Sequence, residues 1–344
     1  MSIGVAIIGS GIFVTEEHLP AVKASPNLTL KAIYSRSLKS AQALNTGVDL
    51  YSEDSGDGKT YGDLLLREDI TAVIIALPIL AQPEFIEQAL IAGKHVLSEK
   101  PIAGDIKRAE ELIQFYKGER VKHGATWAVA ENFRFLDSFK FGREQVEKLG
   151  KVLGFRVKQA GKVKMGGKYF ETAWRKRPDH QGGFLLDGGV HFVAGIRLLL
   201  GNNAKPTALS AFTHLLQEHL APVDTVDSIW QTKSGVTGTF SACFGTTLSG
   251  SEYTVACENG SVTVIVREKV IVRLGEECDK NFKEEWFKEE GSGVKQEVKA
   301  WAQSLVDRKP LPAQSPEEAL IDLEILEKML RSGEQNGQLQ ALKY

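Results

Sequence analysis

Cysteine is scarce in this chain. Its 344 residues hold three, Cys243, Cys257 and Cys278, far apart and without a CxxC spacing. That pattern excludes a disulfide framework and a cysteine-based zinc site, and it fits a reducing compartment. An excess of one charge is lacking too. Forty-two Lys and Arg stand against 44 Asp and Glu, a formal net charge of −2. This gives no electrostatic basis for general attraction to nucleic acid or a membrane surface. No apolar run approaches the length of a membrane-spanning helix. The opening stretch Ile3–Ile8 is apolar but short, has no basic leader and runs straight into a glycine turn. It reads as a strand rather than a signal peptide, and the cytoplasm is the expected location.

A chain of this length makes about two domains. In the first third, short apolar segments alternate with helical patterns. The strand candidates are Gly4–Ile8, Leu30–Tyr34, Ala72–Leu77, His95–Ser98 and Thr126–Ala130. Helical stretches lie between them, clearest at Glu84–Ala92 and Lys107–Lys117. Such alternation predicts a doubly wound parallel sheet, and strands apolar at nearly every position suit a sheet covered on both faces. After about residue 130 the pattern becomes polar–apolar alternation, at Val152–Val163, Ser228–Thr232, Val236–Phe244 and Tyr253–Val266. That is the signature of antiparallel strands. Glu258-Asn259-Gly260 reads as a hairpin turn.

One helix interrupts these strands, with Phe192, Ile196, Leu199 and Leu200 on one face and Gly201 as its stop. The end of the chain is helical. Val294, Val298, Trp301 and Leu305 form one stripe; Leu320, Leu323, Leu326 and Leu330 form another, opened by a capping box at Ser315-Pro316-Glu317-Glu318. Lys280–Gly293 reads as a charged surface loop. The expected fold class is α/β. A Rossmann-type domain over 1–130 is followed by an α+β domain over 131–344 with a large, mostly antiparallel sheet.

Gly9-Ser10-Gly11 follows a strand and precedes a helix, the context in which backbone N–H groups approach a dinucleotide pyrophosphate. Val14 replaces the third glycine of the usual spacing. Gly9, Gly11, Ile12 and Phe13 are therefore candidate cofactor contacts, as are Leu77 and Pro78 at the end of another strand. The second strand ends in Ser35-Arg36-Ser37, with Lys39 nearby and no Asp or Glu to bond a ribose 2′-hydroxyl. An arginine there can clamp a 2′-phosphate, so NADP(H) is expected over NAD(H).

Glu99-Lys100-Pro101 closes a further strand at the carboxyl edge, where ligands bind in open α/β sheets. Pro101 biases Lys100 towards an extended backbone, and a lysine at that edge suits proton exchange with a substrate oxygen. Downstream lies Gly182-Gly183-Phe184-Leu185-Leu186-Asp187-Gly188-Gly189-Val190-His191. If Asp187 begins a helix, His191 follows one turn on and faces the same way. Asp187 as a helix N-cap and His191 as a core histidine are the structural alternatives. Gly188-Gly189 would let a substrate approach the backbone. His180 and His191 have no clear further ligand beside them, so no metal is expected.

Together these motifs, in this order, resemble the Gfo/Idh/MocA oxidoreductases. The resemblance runs nearly end to end and includes Ala92-Gly93-Lys94-His95-Val96-Leu97. The segment Trp174–Phe184 looks most similar to a fungal NADP-dependent branch. The resemblance implies a nucleotide-binding half and an open-faced sheet half. It implies a catalytic Lys100, Asp187 and His191, with Glu99 and Lys100 also at the cofactor. Trp174 and Arg175 match a pair near the cofactor, and Asn132 and Arg134 match positions lining the nicotinamide and substrate pocket. Two positions depart from the pattern: Gln82 stands where members often carry histidine, and Ala194 where many carry an acid. Both weaken transfer of a sugar or polyol specificity.

The expected function is hydride transfer between NADP(H) and a carbon bearing a hydroxyl or carbonyl, with Lys100 as proton donor or acceptor. A non-catalytic NADP-binding regulator, or a reductase of an imine or double bond, is the alternative. The expected partners are a small-molecule substrate and a second copy of the chain, a homodimer through the second domain's sheet.

Overall fold

The computed structural model describes residues 2–122, 124–275 and 280–344; Cys278 lies outside them. The chain divides into two compact units, residues 1–132 with 294–320, and residues 133–293 with 321–344.

The first unit is built on a parallel six-stranded sheet of order β3-β2-β1-β4-β5-β6. Its strands are β1 (Ile3–Ile8), β2 (Leu28–Ser35), β3 (Asp49–Ser52), β4 (Ala72–Ile75), β5 (His95–Glu99) and β6 (Trp127–Ala130). All the expected strands form, and β3 is an addition. It has four residues, only two of them buried, too short a pattern to stand out in sequence. Val5, Ala6, Ile7 and Ile8 of β1 and all of β4 are fully buried, as a sheet covered on both faces requires. The helices are α1 (Leu19–Ala24), α2 (Leu38–Gln42), α3 (Tyr61–Leu65), α4 (Gln82–Ile91) and α5 (Ile106–Tyr116). A π-helical turn, Val14–His18, leads directly into α1. Local capping fixes several starts. Ser37 caps α2, a Thr60/Asp63 capping box opens α3 and Asp105 caps α5.

The second unit centres on a nine-stranded sheet, with β7 (Val152–Lys162), β8 (Pro206–His214), β9 (Thr225–Thr232), β10 (Thr237–Cys243), β11 (Gly245–Cys257), β12 (Gly260–Ile265), β13 (Lys269–Leu274), β14 (Phe282–Trp286) and β15 (Gln340–Ala341). The order is β14-β13-β12-β11-β7-β10-β9-β8-β15, antiparallel throughout except for the β7–β10 pair. The expected hairpin joins β11 and β12. Gly260 turns there at φ +145°, and an added Cβ would lie 2.0 Å from the Arg273 carbonyl oxygen. Lys280–Gly293 is not simply a loop. It contains β14, and its Glu290 is buried, accepting hydrogen bonds from the Ser138 backbone N–H (2.9 Å) and hydroxyl (2.8 Å).

Helices α6 (Asp137–Lys148), α7 (Ala173–Lys176) and α8 (Gly183–Leu200) complete this unit's central part. The rings of Phe139 on α6 and Tyr253 on β11 meet edge to face at 4.9 Å. In strand β9 the side chains of Val226, Ser228, Trp230 and Thr232 point into the core and alternate with outward ones. Trp230 stacks on Phe240 at 5.0 Å. One expectation needs correcting. Residues 183–200 form a continuous apolar helix of 18 residues, mean hydropathy 1.5, which by length and composition alone could span a membrane. It is two-thirds buried, as a core helix is.

The chain then returns to the first unit. In α9 (Val294–Val306) the side chains of Val294, Val298, Trp301 and Ala302 share a core cluster with Val5, Ile7, Val14 and Val22. Assigning everything past residue 131 to the second domain therefore misplaces α9, whose apolar stripe covers the first unit's helices. Helix α10 (Pro316–Glu334) follows, with the Glu318 N–H donating to Ser315 Oγ at its start and Leu320, Leu323, Leu326 and Leu330 buried.

Candidate functional site

In the first unit the candidate residues gather at the carboxyl edge of the sheet. Gly9 adopts φ +128°, and a Cβ there would lie 2.4 Å from the Ala76 carbonyl oxygen. Only glycine fits that close backbone approach. A Cβ on Gly11 would meet nothing within 4 Å, so the backbone above it is open. Helical structure begins at Ile12 and Phe13, and the Thr15 N–H already donates to the Gly11 carbonyl at 3.1 Å. An open turn at a helix N-terminus suits an anionic diphosphate. Ser10 Oγ lies 2.7 Å from Ser35 Oγ, tying this turn to the end of β2.

Beyond Ser35, Arg36 and Lys39 are exposed. Ser37 Oγ accepts the Ser40 N–H and so caps α2. The expectation of no acid here is incomplete. The turn after β3 brings Asp54 to this edge, where its carboxylate accepts the Leu38 N–H at 2.7 Å and the Ser52 hydroxyl at 2.6 Å. Those two bonds, Ser52's first, lower its pKa. Sequence reading missed Asp54 because it lies 18 residues beyond Arg36 and after the strand that escaped notice.

After β4, Leu77 is half-buried and Pro78 exposed in a turn closed by the Ala81 N–H on the Pro78 carbonyl. Gln82 follows at the start of α4. It is 1% exposed, and neither amide atom has a hydrogen-bond partner among the described residues. At the end of β5, Glu99 Oε1 lies 2.7 Å from His18 Nε2. His18 is fully buried and meets the Phe13 ring edge-on at 5.3 Å. It carried no sequence signal, since a single histidine in a helix has no pattern. Lys100 is half-buried beside a cis bond to Pro101, and Asn132 is buried. Lys94 serves the fold, because its buried ammonium donates to the Arg67 and Ile70 carbonyls at 2.7 and 2.6 Å.

In the second unit the candidates gather on α8 and the segment before it. The helix starts at Gly183 after Gly182 in a left-handed conformation, so Asp187 lies inside the helix and is not its N-cap. Asp187 and His191 do share a helix face. Asp187 is buried, and Arg175 Nε donates to its Oδ2 at 2.7 Å. The Arg175 guanidinium also lies over the Trp174 ring at 4.0 Å and the Tyr169 ring at 5.8 Å. His191 stacks on Phe133, centroids 5.1 Å apart and planes 16° from parallel.

Arg134 is buried and pairs with Asp322, which also takes Arg197 Nη1 at 2.5 Å. Two guanidiniums on one carboxylate make a fixed cationic cluster. The glycine pair beside Asp187 does not open the backbone to a ligand. A Cβ on Gly188 would lie 2.9 Å from the Phe244 ring, and one on Gly189 2.9 Å from Leu326. These glycines let side chains pack against α8.

A parallel sheet with a glycine turn at its carboxyl edge, followed by a large, mostly antiparallel sheet flanked by helices, is a two-unit α/β architecture whose first unit is of the dinucleotide-binding type. Residues 3–125 match the oxidoreductase family with an NAD-binding Rossmann fold, GFO_IDH_MocA, and residues 143–340 match its C-terminal alpha/beta domain. The chain belongs to this family. It is 40% identical over 351 residues to dehydrogenase FPY6 of Fusarium mangiferae, covering 99% of each chain. It is 30% identical over 243 residues to a dTDP-3,4-didehydro-2,6-dideoxy-alpha-D-glucose 3-reductase of Actinomadura kijaniata, covering 68% of this chain and 66% of that one. Among solved structures, an oxidoreductase (TM0312) of Thermotoga maritima superposes with a TM-score of 0.85 at 29% identity, covering 99% of this chain and 98% of that one.

Proposed function

We propose that this oxidoreductase uses NADP(H) and acts on a hydroxyl or carbonyl carbon of a small sugar, polyol or related substrate. The observation that carries the cofactor choice is the edge beyond β2. Arg36 and Lys39 are exposed there, and the nearby Asp54 accepts the Leu38 N–H and the Ser52 hydroxyl on its Oδ1. Two exposed cations at the end of β2 suit a 2′-phosphate better than a bare ribose. Gly9, Gly11, Ile12 and Phe13 would hold the diphosphate, Ser35, Arg36, Ser37 and Lys39 the adenosine phosphate, and Leu77, Pro78, Glu99 and Asn132 the nicotinamide side. The residues present fit the group, because the turn at Gly11 leaves open the space that a side chain would fill. When bound, the nicotinamide supplies or takes a hydride at C4.

Lys100 exchanges the proton on the substrate oxygen. In this reading His191, which stacks on Phe133, shares that proton or bonds a neighbouring hydroxyl. Asp187 positions substrate through its carboxylate, whose orientation Arg175 fixes. Trp174 shields that pair, and Arg134 supports the substrate side through the Asp322 cluster. The reductase name of the Actinomadura relative supports a sugar-like carbonyl substrate. A second reading, a non-catalytic NADP-binding regulator, draws on the Arg175–Asp187 pair, since a carboxylate already engaged by arginine needs no substrate. We further propose that the chain pairs with a second copy through the outer face of the second sheet, where Phe212 (64% exposed) and Ile229 (59%) stand out.

The test is a screen of carbonyls and polyols by NADPH and NADH absorbance, run on the wild type and on Lys100→Met. Turnover with NADPH that falls about a thousandfold in Lys100→Met, with NADPH affinity unchanged, supports the reading. Full activity in that variant removes Lys100 from the chemistry, and no turnover with any substrate favours the regulator. Light scattering tests the pairing.

A further inference from the structure

Strand β14 is the outer edge of the second unit's sheet, and all five of its residues are exposed. Its bonding to β13 decides which backbone groups are spent. The ladder pairs Val272 with Lys283 and Val270 with Glu285. The bonds just outside it run from the Leu274 N–H to the Asn281 carbonyl (2.9 Å) and from the Phe287 N–H to the Glu268 carbonyl (2.8 Å). Antiparallel ladders alternate bonded and non-bonded pairs. In this phase Asn281, Lys283, Glu285 and Phe287 face β13. Phe282, Glu284 and Trp286 turn their N–H and carbonyl groups outward, a free template for another strand.

The side chains on this edge are complementary to themselves. A second β14 laid antiparallel about Glu284 brings Phe282 of one copy opposite Trp286 of the other, an aromatic pair at each end. The centre of that face sets Glu284 against Glu284. Each copy also brings the cation that neutralises it, because Lys269 Nζ lies 2.8 Å from Glu284 Oε1 and 4.8 Å from the Trp286 ring centroid. On the opposite face Lys283 meets Glu285 of the other copy twice, by symmetry. The same register that aligns these charges also aligns the outward backbone groups, each bonded pair exchanging both of its N–H···O=C bonds.

We propose that β14 is a homotypic docking edge, through which two copies of this chain join their sheets across a two-fold axis. Phe282 (51% exposed) and Trp286 (49%) are the apolar contacts that this union covers. An exposed edge normally needs protection by charge; here the antiparallel register sets Lys283 against Glu285 of the other copy on one face, and on the other each Glu284 is held by its own Lys269. The contact is separate from the pairing of sheet faces proposed above and does not depend on the catalytic reading.

Full-length protein carrying Cys278→Ser and Glu284→Cys tests it directly. The two introduced thiols sit on residues directly opposed in a bonded pair, with Cα atoms about 5.5 Å apart, within disulfide reach. Under mild oxidation a covalent dimer is expected on a non-reducing gel, and adding Lys283→Glu is expected to suppress it. In sedimentation of the otherwise natural chain, Lys283→Glu and Glu285→Lys should each weaken one association step by roughly tenfold. The double variant Lys283→Glu/Glu285→Lys, or a mixture of the two single variants, should restore it. The proposal is overturned if Glu284→Cys crosslinks no faster than Lys233→Cys, an exposed turn position. It is equally overturned if crosslinking ignores the charge at 283, or if β14 captures a different protein while the purified chain stays uncrosslinked.

Discussion

Two pairs of glycines mark the two units, and they do opposite things. Gly9 and Gly11 stand at the edge of the first sheet. Gly9 is required by a backbone carbonyl 2.4 Å from where its Cβ would be, and Gly11 faces open space. Gly188 and Gly189 stand inside α8, and both are filled over by neighbouring side chains, Phe244 and Leu326. A glycine in a motif therefore has three possible uses: a backbone conformation, room for a ligand, or room for the protein itself. Of these four, Gly11 alone has the second. At these four positions the first unit keeps open space at a turn, and the second spends its glycine pair on packing.

The largest effect that could break this contrast is at Gly9. Gly9→Ala forces a methyl group into the Ala76 carbonyl at a positive φ, and Val5–Ile8 of β1 and all of β4 are fully buried and leave little room to yield. We expect roughly 3 kcal/mol of destabilisation, or failure to fold. Gly11→Ala should cost under about 1 kcal/mol yet weaken NADPH binding, because it changes open space and not packing. Gly188→Ala should fall between, roughly 1–2 kcal/mol, since an aromatic ring edge can shift where a backbone carbonyl cannot. Thermal unfolding gives the stabilities and fluorescence titration the NADPH affinity. If Gly11→Ala proved the most destabilising of the three, the division of roles would be wrong.

A middle-sized effect sharpens the reading of the second unit. Arg175 and Asp187 form a largely buried ion pair, so removing either charge is costly to the other. If Asp187 only holds Arg175, then Asp187→Asn and Arg175→Gln should lose similar activity and the double variant little more. If Asp187 itself meets substrate, Asp187→Asn should lower kcat by about a hundredfold more than Arg175→Gln does. A double-mutant cycle on kcat and KM separates the two.

Much of this was legible in the sequence, for physical reasons that differ by region. The parallel strands declared themselves because burial on both faces demands continuous apolar runs such as Ala72–Ile75. The second unit's sheet declared itself by alternation, as in β9. Local chemistry also read correctly at the Ser315 cap and the Gly260 turn. What escaped was long-range. Helix α9 gave its stripe but not the unit it packs in, since a stripe says which face is apolar and not what covers it. Among the candidate residues, Asp187 and Arg175 are 12 apart in sequence, and no spacing rule foretells their contact. His18, which meets Glu99 from 81 residues away, and Asp54 were invisible for the same reason.

Asp54 carries the smallest predicted effect and tests the cofactor edge most finely. Its carboxylate accepts the Ser52 hydroxyl and the Leu38 N–H, and these bonds hold its pKa below the ordinary aspartate value. A folded-state pKa below the unfolded one means stability that is present above the unfolded value, about 3.9, and lost as pH falls through the folded one. Asp54→Asn should therefore lower the melting temperature slightly at pH 7, with the gap to wild type closing as the solution is acidified below about pH 4. The carboxylate is fully exposed, so salt should shrink the gap as well. The same variant removes a negative charge from the edge where Arg36 stands. NADPH should then bind slightly tighter while NADH is unchanged, because only the 2′-phosphate feels that charge. Equal shifts for both cofactors would mean that the phosphate lies elsewhere, and the assignment of Arg36 and Lys39 would fall with it.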